Sequence, residues 1–304
     1  MSRYVNPFTD FGFKKLFGEE ASKPLLIDFL NSILPQEKQI VNLGFKKLEQ
    51  SGESENERKA VYDIYCENEK GEKFIIELQK AQQNFFKDRT IFYSTFPIQE
   101  QAQKGKWDFE LKSVYCIGIL DFNFNDYENP DKEVLHLVEL KNQQNQVFYD
   151  KLKFIYIEMP NFTKEEHELI TRLDKWLYFI KHLEDFQDIP LIFKDAIFEE
   201  AFAKAEIINL SAEERMIYER NLKIYRDMYN VIDTAFYKGK EEGREEGREE
   251  GIAEGKQEGR LEGRMQEKYA LLENGLLMNL NIEILSSLTG LSINEILDYI
   301  NAKR

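Results

Sequence analysis

Two acidic residues occupy unusual places in a short apolar hairpin near the start of the chain. The segment VYDIYCENEKGEKFIIELQK, residues 61–80, has the pattern of two strands joined by a turn, with Asp63 in the first strand and Glu77 in the second. Carboxylates are rarely placed in buried strands without a partner or a chemical role. One or two carboxylates, completed by water and phosphate oxygens, are the ligands that Mg²⁺ typically takes in proteins.

The turn between the strands predicts which residues face each other. A three-residue loop that ends in Gly71 fits a common hairpin, because its last residue needs the left-handed conformation that glycine adopts freely. Counting outward from this loop places Asp63 opposite Glu77 and Val61 opposite Gln79. Strand alternation then puts Gln79 on the same face as Glu77.

Like charges directly opposed across a hairpin repel each other, so this pair needs compensation. A divalent cation between the carboxylates of Asp63 and Glu77 would supply it, and the amide of Gln79 could orient a water or a phosphate oxygen. The alternative is a solvent-facing strand face with scattered acids. In both cases the core side of the hairpin would be formed by Tyr62, Ile64, Phe74, Ile76 and Leu78. Spacing alone leaves both interpretations open.

The apolar pattern around the hairpin predicts a mixed α/β domain. Two helices are expected within residues 11–34, divided at Pro24, because proline fits a first helical turn and not a helix interior. Another helix is expected at 85–104, with Pro97 as a kink or break, and a polar loop at 51–56. Further strands are predicted at 40–48, 113–122, 134–140 and 153–160. Helices and strands in this order indicate a mixed sheet with helices packed against it.

From residue 164 onward the pattern is helical. Helices are predicted at 164–183 and 191–205, and a capping box of Ser211 and Glu214 opens a long helix. The segment 238–268, with the sequence KGKEEGREEGREEGIAEGKQEGRLEGRMQEK, then repeats glycine at every fourth position. Glycine costs about 1 kcal/mol against alanine in a helix interior. The glycines either form a stripe that lets another helix approach, giving a homo-oligomer, or belong to a charged tether.

The last segment, 269–304, regains an apolar pattern with a helix-turn-helix outline around Gly290. A DNA-reading unit would carry basic or amide side chains early on its second helix. Here that helix offers Asn294, Glu295 and Asp298. The acidic character favours a small packing or docking unit over DNA readout.

The totals exclude several classes of protein. The formal net charge of −15 argues against non-specific nucleic-acid binding, although bound divalent cations would reverse the local field of an acidic site. Cys66 and Cys116 give no disulfide framework or zinc spacing, and no apolar run approaches the roughly 20 residues of a membrane span. A soluble cytoplasmic protein without a membrane segment is therefore expected. The sequence has no phosphate-binding glycine loop, so no nucleotide cofactor is expected.

Several motifs together resemble the recombination-promoting nuclease (Rpn) transposase family of bacteria, within the PD-(D/E)XK nuclease superfamily. They are DFGFKKLFG at residue 10, the acidic hairpin with GEKFIIELQ, Arg89 followed by Tyr93, VYCIGILDF, LSAEERMIYER, the glycine repeat and LTGLSINEI. The resemblance implies a central mixed β-sheet flanked by helices. It also implies Mg²⁺-dependent hydrolysis of DNA phosphodiester bonds, with Mn²⁺ as an alternative ion, linked to recombination or transposition.

The resemblance assigns roles to residues by position. Asp63 and Glu77 would be the catalytic metal carboxylates, and Gln79 would take the catalytic place at which the wider superfamily has lysine. Asp10 would be a supporting acid, or only the N-cap of the first helix. Phosphate contact or support of the site would come from Lys14, Arg89 and Tyr93.

The glutamine is the main departure from the superfamily pattern. A neutral amide adds no positive charge, and the loss of one electrostatic donor commonly costs two to three decades in rate, about 3–4 kcal/mol. Lys80 is adjacent to Gln79, but strand alternation directs it to the opposite face unless the strand ends there. The expected function is a slow DNA endonuclease. The alternative is a non-catalytic interaction or assembly protein on a nuclease-like fold.

The same reasoning gives an expected domain organisation. A nuclease-like domain would span residues 1–205, followed by a helical extension at 206–237. The charged glycine-repeat helix or linker would occupy 238–268, and the helical C-terminal unit 269–304.

Overall fold

A six-stranded mixed sheet forms the centre of the first of two units into which the chain divides, Met1–Met228. The structure is a computed structural model that describes residues 2–50, 60–102, 108–124 and 129–303. The strands in chain order are β1 (Leu43–Phe45), β2 (Glu49–Gln50), β3 (Ala60–Val61), β4 (Ile64–Asn68), β5 (Lys73–Gln79), β6 (Val114–Leu120), β7 (Leu135–Lys141) and β8 (Val147–Glu158). The order across the large sheet is β1-β4-β5-β6-β8-β7, and β2 pairs with β3 separately.

The direction of the strands explains why the middle of the sheet is so apolar. β5, β6 and β8 run parallel to one another, whereas β1, β4 and β7 are antiparallel to their neighbours. Parallel strands need crossover connections that cover the sheet, and strands covered on both faces are continuously apolar. Every residue of β5 and β6 is accordingly buried. This confirms the predicted mixed α/β fold.

Helices cover both faces of the sheet. The described helices of the whole chain, in order, are α1 (Asp10–Phe17), α2 (Lys23–Ile33), α3 (Phe86–Gln99), α4 (Arg172–His182), α5 (Ala196–Ala205), α6 (Ala212–Leu277), α7 (Ile282–Thr289) and α8 (Ile293–Ala302). On one face, side chains of α1, α2, α4, α5 and the start of α6 form the larger core, which includes the buried rings of Phe17, Trp176 and Phe198. On the other face, α3 packs through Phe86 on Tyr156 of β8, with ring centres 5.9 Å apart, in a second core that includes Tyr65 and Ile75.

The hairpin turn has the predicted geometry. The N–H of Gly71 donates to the carbonyl of Asn68 at 3.0 Å, and Gly71 has a φ of +78°. The pairs along the ladder run from Glu67 with Lys73 to Ile64 with Ile76. The predicted register between β4 and β5 is therefore confirmed.

The predicted first strand is not continuous, which corrects two expectations. It breaks at Tyr62 and Asp63, and Val61 pairs with Glu49 on β2 and not with Gln79. The break also turns the ring of Tyr62 to the α3 side, where its centre lies 5.2 Å from that of Tyr65. Tyr62 therefore does not belong to the core face with Ile64, Phe74, Ile76 and Leu78, which do pack together.

Several helix boundaries also differ from the expected ones. Pro24 does lie in the first turn of α2, and α3 continues past Pro97 to Gln99. The predicted helix 164–183 begins only at Arg172, because Thr171 caps it with the side chain of Asp174. Leu191–Phe193 likewise form a separate short 3₁₀ turn, and α5 begins only after its N-cap Asp195. The predicted loop at 51–56 lies outside the described residues.

The glycine repeat is helical throughout, as part of α6. A methyl group added at any glycine from Gly239 to Gly263 would meet no described atom within 4 Å, other than those of its own turn of helix. The repeat therefore has no packing partner within the described chain. Whether it serves as a helix-contact stripe or as a tether stays a prediction.

The second unit, Tyr229–Arg304, contains the helix-turn-helix outline. α7 and α8 pack through Leu285 and Ile296 against Leu272 near the end of α6. Gly290 takes a left-handed conformation between them, with a φ of +64°, and Ser292 caps α8. Across the described parts of both units, no helix combines the length and the apolar character that a membrane crossing needs.

Candidate active site

The two hairpin acids meet where β4 begins. Strand pairing is interrupted before β4, so Asp63 lies outside the backbone ladder. Its carboxylate accepts a hydrogen bond from the N–H of Leu78 at 2.8 Å. The N–H of Asp63 donates in return to Oε1 of Glu77 at 3.3 Å. Side-chain atoms thus replace the backbone pairing at this point and hold the two acids side by side.

Gln79 completes a line of polar groups along β5. Its Nε2 donates to Oε2 of Glu77 at 3.4 Å, and both side chains are buried, with 8% and 9% of their surface exposed. A cavity of about 10 Å³ lies beside Glu77, between Thr90, Tyr93 and Gly118. It has space for about one water molecule. The prediction of a solvent-facing strand face is wrong, because α3 covers this side of the sheet.

Burial raises the pKa of both acids, and a neighbouring carboxylate adds to this effect, that of Asp63 at Glu77 and that of Asp10 at Asp63. Burial is the largest cause of the raised pKa of Glu77, and the carboxylate of Asp63 raises it further, against the opposing effect of Arg89. Burial likewise raises the pKa of Asp63, while the hydrogen bond from Leu78 and the charges of Lys14 and Lys80 act in the opposite direction. Two carboxyls that resist ionisation side by side favour an added positive charge.

Helix α1 supplies charged side chains near Asp63. Asp10 is not the N-cap of α1, since Thr9 takes that position by accepting from the N–H of Gly12. The carboxylate of Asp10 instead pairs with the ammonium of Lys80 at 2.6 Å. Lys14 follows one turn later on α1 and makes no ion pair with any described residue.

Helix α3 supplies Arg89 and Tyr93 on the Glu77 side. The guanidinium of Arg89 lies 5.8 Å from the ring centre of Tyr93, and its Nη1 donates to Gln83 at 2.6 Å. The backbone carbonyl of Tyr93 accepts from the hydroxyl of Tyr62 at 3.1 Å. The structure therefore brings Asp63, Glu77 and Gln79 together at the end of β5, with Asp10 and Lys14 on one side and Arg89 and Tyr93 on the other.

One acid near this site has no counterpart among the sequence predictions. Asp121 follows the last residue of β6, and its N–H donates to the carbonyl of Gln79 at 2.8 Å. Its carboxylate accepts from the hydroxyl of Tyr225 on α6 at 2.9 Å, and burial raises its pKa to about 6. The sequence does contain a signal for it, because an acid directly after a buried parallel strand lies at the carboxyl edge of the sheet, where sites gather.

The donor set of this site fits a hydrated divalent cation. Within the described ranges no group of three or more His, Cys, Asp or Glu side chains could hold a metal ion. Asp63 and Glu77 would therefore be the protein ligands, and water and phosphate oxygens would take the other positions, as Mg²⁺ prefers.

The mixed sheet is flanked by helices, and its two neighbouring strands β4 and β5 bring Asp63 and Glu77 together. This arrangement is consistent with a nuclease-like α/β fold of the PD-(D/E)XK type. Residues 7–235 match the model of the PD-(D/E)XK nuclease family transposases, and the chain belongs to this family. The resemblance seen in the sequence motifs is thereby confirmed. No curated protein and no solved structure matches the chain significantly. Family membership supports a nuclease-type enzyme, and nucleases of this superfamily generally use divalent metals.

Proposed function

We propose that this protein is a Mg²⁺-dependent DNA endonuclease that hydrolyses phosphodiester bonds and acts in recombination or transposition of mobile elements. One observation supports this most directly. The half-buried Asp63 and the buried Glu77 lie side by side, with Gln79 next to Glu77, in a chain of the PD-(D/E)XK nuclease family.

The chain's own residues would share the work as follows. Asp63 and Glu77 would hold the divalent cation, which lowers the pKa of a bound water and polarises the scissile phosphate. Gln79 would orient the attacking water through its amide, without adding charge. Glu77 and Gln79 are buried and Asp63 is half-buried, so the attraction between the two carboxylates and a bound cation would be stronger than in bulk water.

The substrate would have to approach an acidic protein. The formal net charge of −15 opposes binding of DNA. Lys14 and Arg89 flank the acid pair on opposite sides, and we propose them as phosphate contacts, with Tyr93 supporting Arg89. We further propose a cytoplasmic location and self-association through the glycine repeat.

A second candidate function is a non-catalytic assembly protein on the same fold. The neutral Gln79 in place of lysine favours it, since it removes a charge that the reaction uses. Titration calorimetry with Mn²⁺ separates the two. An enzyme should bind the ion and lose this binding in Asp63→Asn, whereas a scaffold should show no binding that depends on Asp63.

Nicking of supercoiled plasmid in Mg²⁺ tests the proposed enzyme. We expect cleavage by the wild type and a loss of at least about 100-fold in Asp63→Asn and in Glu77→Gln, because each removes a metal ligand but keeps the shape of the side chain. Glu37→Gln is the matched control, since it removes an exposed acid from the 3₁₀ turn before β1. Equal cleavage by all four proteins would show that this pair is not the catalyst.

A further inference from the structure

The site has no positively charged side chain at the position where the superfamily has lysine. Gln79 occupies that position, and its amide is engaged with Glu77 at 3.4 Å. Arg89 carries a positive charge nearby, but its guanidinium is held by Gln83 and lies over the rings of Phe86 and Tyr93. Besides the phosphate contacts proposed for Lys14 and Arg89, the position of Gln79 therefore needs a positive charge from a residue next to it in the chain.

Lys80 is placed to supply it from the Asp63 side of the pair, because it directly follows the last residue of β5 and reaches α1. Strand alternation predicts that Lys80 points away from the α3 side that Gln79 faces, and its ion pair with α1 agrees with this. The side chain of Lys80 is 15% exposed, and its Nζ reaches Oδ1 of Asp10 on α1 at 2.6 Å. Both charges act on the carboxylate of Asp63, so the ammonium lies within electrostatic range of the acid pair.

Asp10 binds the ammonium of Lys80 only weakly. The side chain of Asp10 is 58% exposed, and ion pairs with an exposed partner contribute little to stability. A DNA phosphate, whose one negative charge is shared by its two free oxygens, can therefore compete with this exposed carboxylate for the ammonium of Lys80.

We propose that Lys80 supplies the positive charge at the scissile phosphate that Gln79 lacks, and that Asp10 holds its ammonium at the site until DNA binds. This inference rests on the proposed endonuclease function. Lys80 forms and breaks no covalent bond in this role. It neutralises charge that develops on the phosphate oxygens during attack by water.

Plasmid nicking by Lys80 variants tests the role in catalysis. We expect Lys80→Gln to lower the cleavage rate about 100-fold and Lys80→Arg to lower it less than about tenfold, because arginine keeps the charge. The double variant Gln79→Lys with Lys80→Gln should recover most of the lost rate, since it returns a lysine to the superfamily position. A lysine that only supports the fold would not be rescued in this way. Thermal unfolding of each variant confirms that it is folded.

Binding of a fluorescein-labelled DNA duplex in chelator gives a readout that needs no metal. Each lost phosphate contact should reduce the slope of log affinity against log salt by about 0.9. We expect this change for Lys80→Gln and none for Lys70→Gln, which removes a charge in the turn at the other end of β5.

The outcomes separate the two proposals. If the wild type cleaves, Asp63→Asn does not and Lys80→Gln cleaves like the wild type, the role of Lys80 is wrong while the endonuclease stands. If Lys14→Gln abolishes cleavage and Lys80→Gln does not reduce it, the role of Lys80 is also wrong, and Lys14 of α1 supplies the charge. If the wild type fails to cleave and Lys80→Gln leaves the salt slope unchanged, both proposals are wrong.

Discussion

The N–H of Leu78 donates to the carboxylate of Asp63 at 2.8 Å, across the point where the first strand of the hairpin is broken. A side chain thus occupies the place of a backbone carbonyl in the ladder. The bond orients Asp63 toward Glu77, although their charges repel. The site therefore combines a structural bond with an electrostatic cost, and the two can be separated by mutation.

Asp63→Asn should raise the stability of the protein in chelator. The asparagine oxygen can still accept from Leu78, while the repulsion with Glu77 disappears, so the free energy of unfolding at pH 8 should increase by about 1 kcal/mol. Asp63→Ala should instead lower it by about 1–3 kcal/mol, because the N–H of Leu78 loses its acceptor. Urea unfolding measures both. A lower stability of the asparagine variant would contradict the assignment.

The raised pKa of Glu77 predicts a pH dependence of stability without metal. When the pKa of a carboxyl is higher in the folded state than in the unfolded state, the folded protein becomes less stable as the pH rises. Burial and Asp63 raise the pKa of Glu77 to about 8, so stability in chelator should fall between about pH 5 and pH 8. Glu77→Gln should flatten this fall. Mg²⁺ should raise the unfolding temperature of the wild type more at pH 8 than at pH 6. It should not raise the unfolding temperature of Glu77→Gln at either pH.

Asp121 predicts a second, separate pH effect. Burial raises its pKa to about 6, so its share of stability is lost as the pH rises from about 4 to 6. Asp121→Asn keeps an acceptor for the hydroxyl of Tyr225 and removes the charge. We expect it to stabilise the protein by about 1–2 kcal/mol at pH 7.5 and by nothing at pH 4, as measured by urea unfolding at the two pH values. If Asp121→Asn changes the free energy of unfolding equally at both pH values, the effect comes from packing and not from the charge.

Gly12 in the DFGFKKLFG motif should be intolerant of any side chain. A methyl group there would lie 2.2 Å from the carbonyl oxygen of Asn6. Gly12→Ala should therefore shift the start of α1 and lower the free energy of unfolding by about 2–3 kcal/mol. Gly44→Ala is the matched control, because its methyl group would come no closer than 4.0 Å to any described atom and should change stability by less than about 0.5 kcal/mol.

Alanines in the glycine repeat should stabilise α6. Gly243→Ala, Gly251→Ala and Gly259→Ala have space for a methyl group, and each should stabilise the helix by about 1 kcal/mol. Thermal melting followed by circular dichroism measures the gain. Sedimentation velocity of the triple variant then decides between the two interpretations of the repeat. A stripe for close helix contact should lose self-association, whereas a tether should not change.

Local chemistry made much of this protein predictable from its sequence. The left-handed Gly71 fixed the register of β4 with β5, and therefore the meeting of Asp63 with Glu77, because a short turn leaves one way to pair its strands. Pro24 indicated the start of α2 because proline fits the first turn of a helix, where no N–H is needed. These effects act over a few residues, so the sequence contains them in full.

Tertiary packing decided what periodicity could not. The break before β4 turned Tyr62 toward α3, because β3 pairs with β2 outside the main sheet. Lys80 pairs with Asp10, a residue 70 positions away in the chain. Strand alternation predicts the side of the sheet on which Lys80 lies, but not the residue that it meets there. The direction of the charges around the acid pair is set by helices that are distant in sequence, and only the folded chain brings them to the site.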